Sequence, residues 1–170
     1  MSTGVVVVVV DPYSTGASVA EEAARRGHAV LALWSSAHRG QPQVQAPFYA
    51  AVDEQPSVAL TALAIQRALP SSICGEPSAT GIAAIICGGD DGVLLADAIS
   101  AHLGLPSNST PRLGNRRHKQ SQQEAIRRAG LRATRSASSV LWSDVHSLCD
   151  SLEMPVVVKP AESTGCAFDC

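Results

Sequence analysis

Six consecutive valines, Val5–Val10, run directly into Asp11-Pro12. A short, unbroken apolar run predicts a strand buried on both faces, the habit of parallel sheets. Pro12 and Gly16 mark a tight loop after it. Ser14, Thr15 and Ser18 each stand where the next helix needs a cap, and Ser18-x-x-Glu21 has the form of a capping box. That helix is predicted to run to about Arg26 and to stop at Gly27. Residues 28–34, His-Ala-Val-Leu-Ala-Leu-Trp, predict a second strand. The opening of the chain is therefore a β-loop-α-β unit.

From Ser35 to Pro56 the sequence is rich in Gln, Pro and Ser, with one apolar patch at Phe48–Val52 that predicts a short strand. Ser57–Leu69 is apolar with Gln66 and Arg67 as its polar face, hence a helix. Residues 82–87 predict another buried strand, Gly88–Gly92 a turn, and Val93–Leu103 a helix ending at Gly104. Strands alternating with helices predict an α/β fold, a parallel sheet flanked by helices with right-handed crossovers. This first domain is expected over 1–108, with Leu105–Thr110 as a linker.

Beyond the linker, Asn115–Ala129 predicts a helix closed by Gly130, and Ala133–Ala137 a short strand. Ser143–Leu152 predicts a helix with Val145, Leu148, Cys149 and Leu152 on one face. Pro155–Pro160 is expected to be a buried strand that delivers Lys159 at its carboxyl end, followed by the Ser/Thr/Gly loop Ala161–Cys170.

Composition narrows the function classes. Hydrophobic residues make up 45% and charged residues 16%, which supports a packed core and excludes wholesale disorder. The net charge of −2 excludes a generally basic, nucleic-acid-coating protein. The total hides an asymmetry: residues 1–108 carry four Arg against nine acids, and 109–170 carry nine Lys/Arg against six. A phosphate-bearing ligand is thus expected on the second part. Five cysteines at irregular spacing, with no CxxC pair, fit a reducing compartment rather than a disulfide scaffold or zinc site. The N-terminal valines lack a basic region before them and are too few to span a bilayer, so a cytoplasmic protein without membrane contact is the expectation.

Lysine usage is the sharpest single feature. Of 13 basic residues, only Lys119 and Lys159 are lysine. Lysine offers a compact charge on a flexible stem that reaches a phosphate oxygen from within a pocket, which the arginine fork does not. Lys159 is expected where α/β sheets bind ligands, at the carboxyl end of a strand. Beside it, Ser163, Thr164 and Gly165 suit a loop whose backbone amides and hydroxyls close over phosphate. The competing reading is two solvated surface lysines.

The order Arg116-Arg117-His118-Lys119, helix, Ala129-Gly130-Leu131, then Pro155–Pro160 and Glu162–Gly165 resembles the start of the ATP-grasp fold. Asp11-Pro12-Tyr13-Ser14-Thr15-Gly16 is similar to the first turn of the Rossmann-like pre-ATP-grasp domain in carboxylate–amine ligases of the L-amino-acid ligase kind. Gly88–Val93 with Leu-Ala-Asp97 resembles a further turn of those enzymes. The resemblance implies that 1–108 is the pre-ATP-grasp domain and 109–170 the beginning of an ATP-grasp domain. It implies ATP bound by Lys119, Lys159 and the Ser163–Gly165 loop. It also implies Mg²⁺, an acylphosphate intermediate, and small-molecule carboxylate and amine substrates. Tyr13, Ser14, Thr15, Gly16, Gly89 and Asp91 become candidate substrate-binding residues. The chain departs from the family at Gln122, where an apolar residue is usual, and in a phosphate loop poorer in glycine after Gly165. The Mg²⁺ ligands and catalytic arginine would lie beyond Cys170. The chain is thus expected to be the N-terminal part of a longer ligase and to be inactive alone. The alternative is a degenerate module that only binds nucleotide or a partner.

The remaining features carry less. Asp90 and Asp91 are a metal or acid/base pair or, more simply, turn-formers. The five histidines show no ligand spacing and are expected at the surface. The basic segment Arg112–Arg135 has no interleaved aromatic, so nucleic-acid binding is not expected. An apolar strand at 156–159 without neighbours would associate with another copy, which admits a homodimer. No GxGxxG follows the first strand, which argues against dinucleotide binding.

Overall fold

The computed structural model of the chain describes residues 5–39, 47–69, 81–108, 110–152 and 155–161. The chain divides into two compact units, Met1–Thr110 and Pro111–Cys170.

The first unit is α/β. Its elements are β1 (Val6–Val10), α1 (Thr15–Arg25), β2 (Ala29–Trp34), β3 (Ala50–Asp53), α2 (Val58–Arg67), β4 (Ile82–Cys87) and α3 (Val93–His102). The four strands form one parallel sheet in the order β3-β2-β1-β4. Alternate valines of β1 serve opposite faces, as the period of a strand requires. Val7 and Val9 pack with Ala20 of α1 and Val30. Val6, Val8 and Val10 pack with Leu31, Leu33, Ile65 of α2 and Ile99 of α3. Every one of the five valines of β1 is buried, which is why a run of β-branched residues is accommodated there.

Two local expectations change here. Ser18 lies inside α1 rather than at its cap. The N-cap is Ser14, and its side chain makes no capping bond. The first amides are instead taken by backbone carbonyls, Gly16 N–H donating to Tyr13 O (2.8 Å) and Ala17 N–H to Ser14 O (3.1 Å). β4 is at an edge of the described sheet, so Ala83 and Ile86 are exposed where a wholly buried strand was expected.

The second unit contains α4 (Lys119–Arg128) and α5 (Trp142–Asp150). Its helix begins later than the expected Asn115, because Thr110–Arg116 forms 3₁₀ turns and His118 is extended. His118 caps α4, its Nδ1 accepting from Ser121 N–H at 3.3 Å. Gln122, the polar residue where an apolar one is usual, donates to Arg116 O at 2.9 Å and fastens the turns to the helix.

Ala133–Ala137 is not a strand. Side chains of α4 hold it instead: Gln123 Oε1 takes the Thr134 N–H that a neighbouring strand could have taken (2.8 Å), and Gln120 Oε1 accepts from the Ser136 hydroxyl (3.0 Å). Pro155–Pro160 is neither buried nor part of a sheet among the described residues, and Val157 and Val158 are 82% and 71% exposed. Proline at each end removes two backbone donors from any ladder there. Lys159 therefore does not emerge from a buried strand.

Candidate functional site

In the first unit the chain leaves β1 towards β2 and β3 on one side and reaches β4 on the other. The carboxyl ends of β1 and β4 thus flank a topological switch point, where α/β sheets bind ligands. Three loops meet there: Asp11–Gly16 after β1, Ser35–Arg39 after β2, and Gly88–Gly92 after β4.

Asp11 organises the crevice from below. It is fully buried and has positive φ (51°), and its Oδ1 accepts from Ser35 N–H at 2.8 Å. Its Oδ2 is sealed from solvent without a hydrogen-bond partner. Burial raises the Asp11 carboxyl above the usual carboxylate range, opposed by the Ser35 amide and hydroxyl. Ser14 is a second non-glycine residue with positive φ (49°) in the same loop. Such conformations cost about 1–3 kcal/mol each and collect at functional sites.

Glycines let the loops touch. A Cβ on Gly16 would lie 2.7 Å from the Gly88 Cα, and one on Gly88 would lie 2.8 Å from Asp11 O. A Cβ on Gly89 would lie 2.6 Å from both Cζ and the hydroxyl oxygen of Tyr13. The Tyr13 ring therefore rests on Gly89. Burial raises the Tyr13 phenol above its ordinary value, and the charges of Asp91, Asp11 and Asp90 push it the same way. The Cys87 thiol, bonded to Gly89 O at 2.8 Å, is also raised by burial.

His38 joins this cluster. Its Nε2 lies 3.0 Å from Asp91 Oδ2, and its ring packs on Tyr13 with centroids 4.6 Å apart. His38 is thus a partly buried member of the site and not the surface residue expected. Asp91 is its partner as well as a turn residue, in the 3₁₀ turn Asp90–Gly92.

The structure thus brings Tyr13, Gly16, Gly89 and Asp91 together, with Ser14 and Thr15 exposed between Tyr13 and Gly16. It adds Asp11, Ser35, Cys87 and His38. Asp11 was legible as the polar residue that ends the valine run, but nothing in the spacing of His38 signals its place. An open groove of about 460 Å³ lies beside the crevice, between α1 and β4, lined by Val7, Val19, Ala23 and Ile86. Of the loop residues above, only Thr15 reaches it. No group of three or more His, Cys, Asp or Glu among the described residues is arranged to hold a metal ion.

In the second unit, Lys119 is the first residue of α4, and its backbone N–H donates to Ala161 O at 3.0 Å. This bond sets the head of α4 against the segment that carries Lys159. Lys119 is half-buried and Lys159 exposed. Ser163, Thr164 and Gly165 lie outside the described residues.

A solved structure of an L-amino acid ligase from Bacillus licheniformis superposes on 96% of this chain with a TM-score of 0.66 and 16% sequence identity. The two share a fold. The chain covers 38% of that ligase. No protein-family model and no curated protein sequence matches this chain. Among the described residues, no helix is long and apolar enough to cross a membrane.

Proposed function

We propose that this chain forms the first part of an ATP-dependent carboxylate–amine ligase of the ATP-grasp type. Residues 1–108 act as its pre-ATP-grasp domain, and 109–170 begin the ATP-grasp domain. In the proposed reaction a carboxylate oxygen of one substrate attacks the γ-phosphorus of ATP and ADP leaves. The amine of the second substrate then attacks the acyl carbon, and phosphate leaves with its bond to the acyl group broken.

The observation that carries this reading is the Lys119 N–H···O=C Ala161 bond. It holds together, through main chain, the two segments that contain the chain's only lysines, which a shared phosphate site would need. The fold likeness to an L-amino acid ligase supports the same reading. The work of Lys119 and Lys159 would be to neutralise phosphate charge as it shifts during transfer, with the Ser163–Gly165 loop keeping water away. Mg²⁺, for which no described residue supplies a ligand cluster, would add positive charge to balance the phosphates.

The test exploits the scarcity of lysine. A lysine-acylating acyl-phosphate analogue of ATP is added to the purified protein and the labelled sites are mapped by mass spectrometry. Labelling of Lys119 and Lys159 that excess ATP suppresses is the expected result. Labelling that ATP leaves unchanged returns both residues to a solvated surface role.

A further inference from the structure

We infer that His38 is a positioning residue for the crevice of the first unit, holding Tyr13 and Asp91 where they meet a substrate. That the crevice takes a substrate rests on the ligase reading; that His38 sets the geometry of Tyr13 and Asp91 does not.

Three observations carry it. First, the His38 side chain touches both neighbouring loops: Tyr13 after β1 through its ring, and Asp91 after β4 through Nε2. Second, the contact is shielded. The His38 and Asp91 side chains are only 18% and 24% exposed, so their bond is worth more than a surface ion pair.

Third, His38 stands on a braced loop. Its N–H donates to Ser35 O (3.0 Å), and Ser35 N–H is held by Asp11 Oδ1 (2.8 Å). On the other side, Ser36 N–H bonds Glu54 Oε2 and the Arg39 guanidinium bonds Glu54 O, both at 2.6 Å. A braced imidazole on one side and the Gly89 backbone on the other flank the Tyr13 ring. Removing the imidazole opens one wall of that slot. The phenol should then swing into water, losing the burial that chiefly raises it and moving away from the charges of Asp91, Asp11, Asp90 and Cys87.

The chain has two tyrosines. In a Tyr49→Phe background, Tyr13 is the only phenol, and its ionisation is followed by ultraviolet absorbance. The expected result is a raised midpoint in the parent, which falls towards the ordinary tyrosine value in His38→Ala while the circular dichroism stays native. His38→Gln, whose amide can still donate to Asp91, should fall less. An unmoved Tyr13 midpoint in a folded His38→Ala variant overturns the proposal. So does loss of the fold in both variants, which would make His38 a structural residue. The titration involves neither lysine. A failed ATP-analogue experiment therefore sinks the ligase reading and leaves the assignment of His38 standing, and an unmoved midpoint does the reverse.

Discussion

Gly16 and Gly88 meet backbone to backbone across the mouth of the sheet: a Cβ on Gly16 would stand 2.7 Å from the Gly88 Cα and 2.8 Å from its carbonyl oxygen. The atoms in the way belong to main chain pinned by Gly88 N–H···O Val10 at 2.7 Å, so no rotamer change relieves the clash. The contact sets the loop after β1 directly against the loop after β4.

Gly16→Ala should therefore destabilise the first unit by about 1–3 kcal/mol, the usual cost of overpacking. Gly114→Ala is the control, since nothing lies within 4 Å of its added methyl. Urea melts of the two variants give the comparison. Equal midpoints would mean that the loops part without cost.

Asp11 makes stability depend on pH with an unusual sign. Burial holds its carboxyl above the ordinary 3.8, so the folded chain binds this proton more tightly than the unfolded chain does. The contribution is fully present below the unfolded value and is lost as pH rises through the folded one. Asp11→Asn keeps an oxygen to accept from Ser35 and cannot ionise. The stability of the wild type relative to Asp11→Asn should thus decline between acidic pH and neutrality. Paired denaturant melts across that range measure it, and a gap that moves in the wild type's favour would contradict the assignment.

The architecture of the first unit was legible because its signals are local. A valine run fixes β1, and Gly27 and Gly104, both with positive φ, end α1 and α3 as the sequence predicts. The crevice was half legible. Tyr13, Gly16, Gly89 and Asp91 lie in polar, glycine-bearing turns that follow strands, so their place follows from the order of elements. His38 depends on a contact with a residue 53 positions away, which no local pattern encodes. The second unit was read less well for the same reason. Whether Ala133–Ala137 or Pro155–Pro160 becomes a strand depends on a neighbour to pair with, and β-propensity alone does not supply one.

For the lysines, Lys159→Arg separates charge from shape. It keeps the positive charge and replaces a compact ammonium with a wide planar fork. If Lys159 grips a phosphate oxygen, ATP protection of Lys119 against the acylating analogue should need roughly tenfold more ATP, about 1.4 kcal/mol. Lys119→Ala should likewise weaken protection at Lys159. Protection curves that overlay the wild type in both variants would leave the lysines without a shared ligand.

The last expectation compares two valine-rich segments of the same chain. Val6–Val10 is paired on both sides, with β2 and with β4, and each residue is 6% exposed or less. Opening those amides to solvent requires breaking the core of the first unit, so they should exchange only at the rate of its global unfolding. Val156–Val158 has a similar composition and no ladder among the described residues, and Val157 and Val158 face water. Composition predicts the same behaviour for both segments; the structure predicts opposite behaviour. Amide hydrogen exchange read by peptide mass spectrometry should show lasting protection at 6–10 and almost none at 156–158. Protection of 156–158 that grows with protein concentration would mean that the segment pairs with a second copy, as an exposed strand edge invites. Equal protection in a monomer would show that it finds a strand partner within its own chain, and would overturn its description as unpaired.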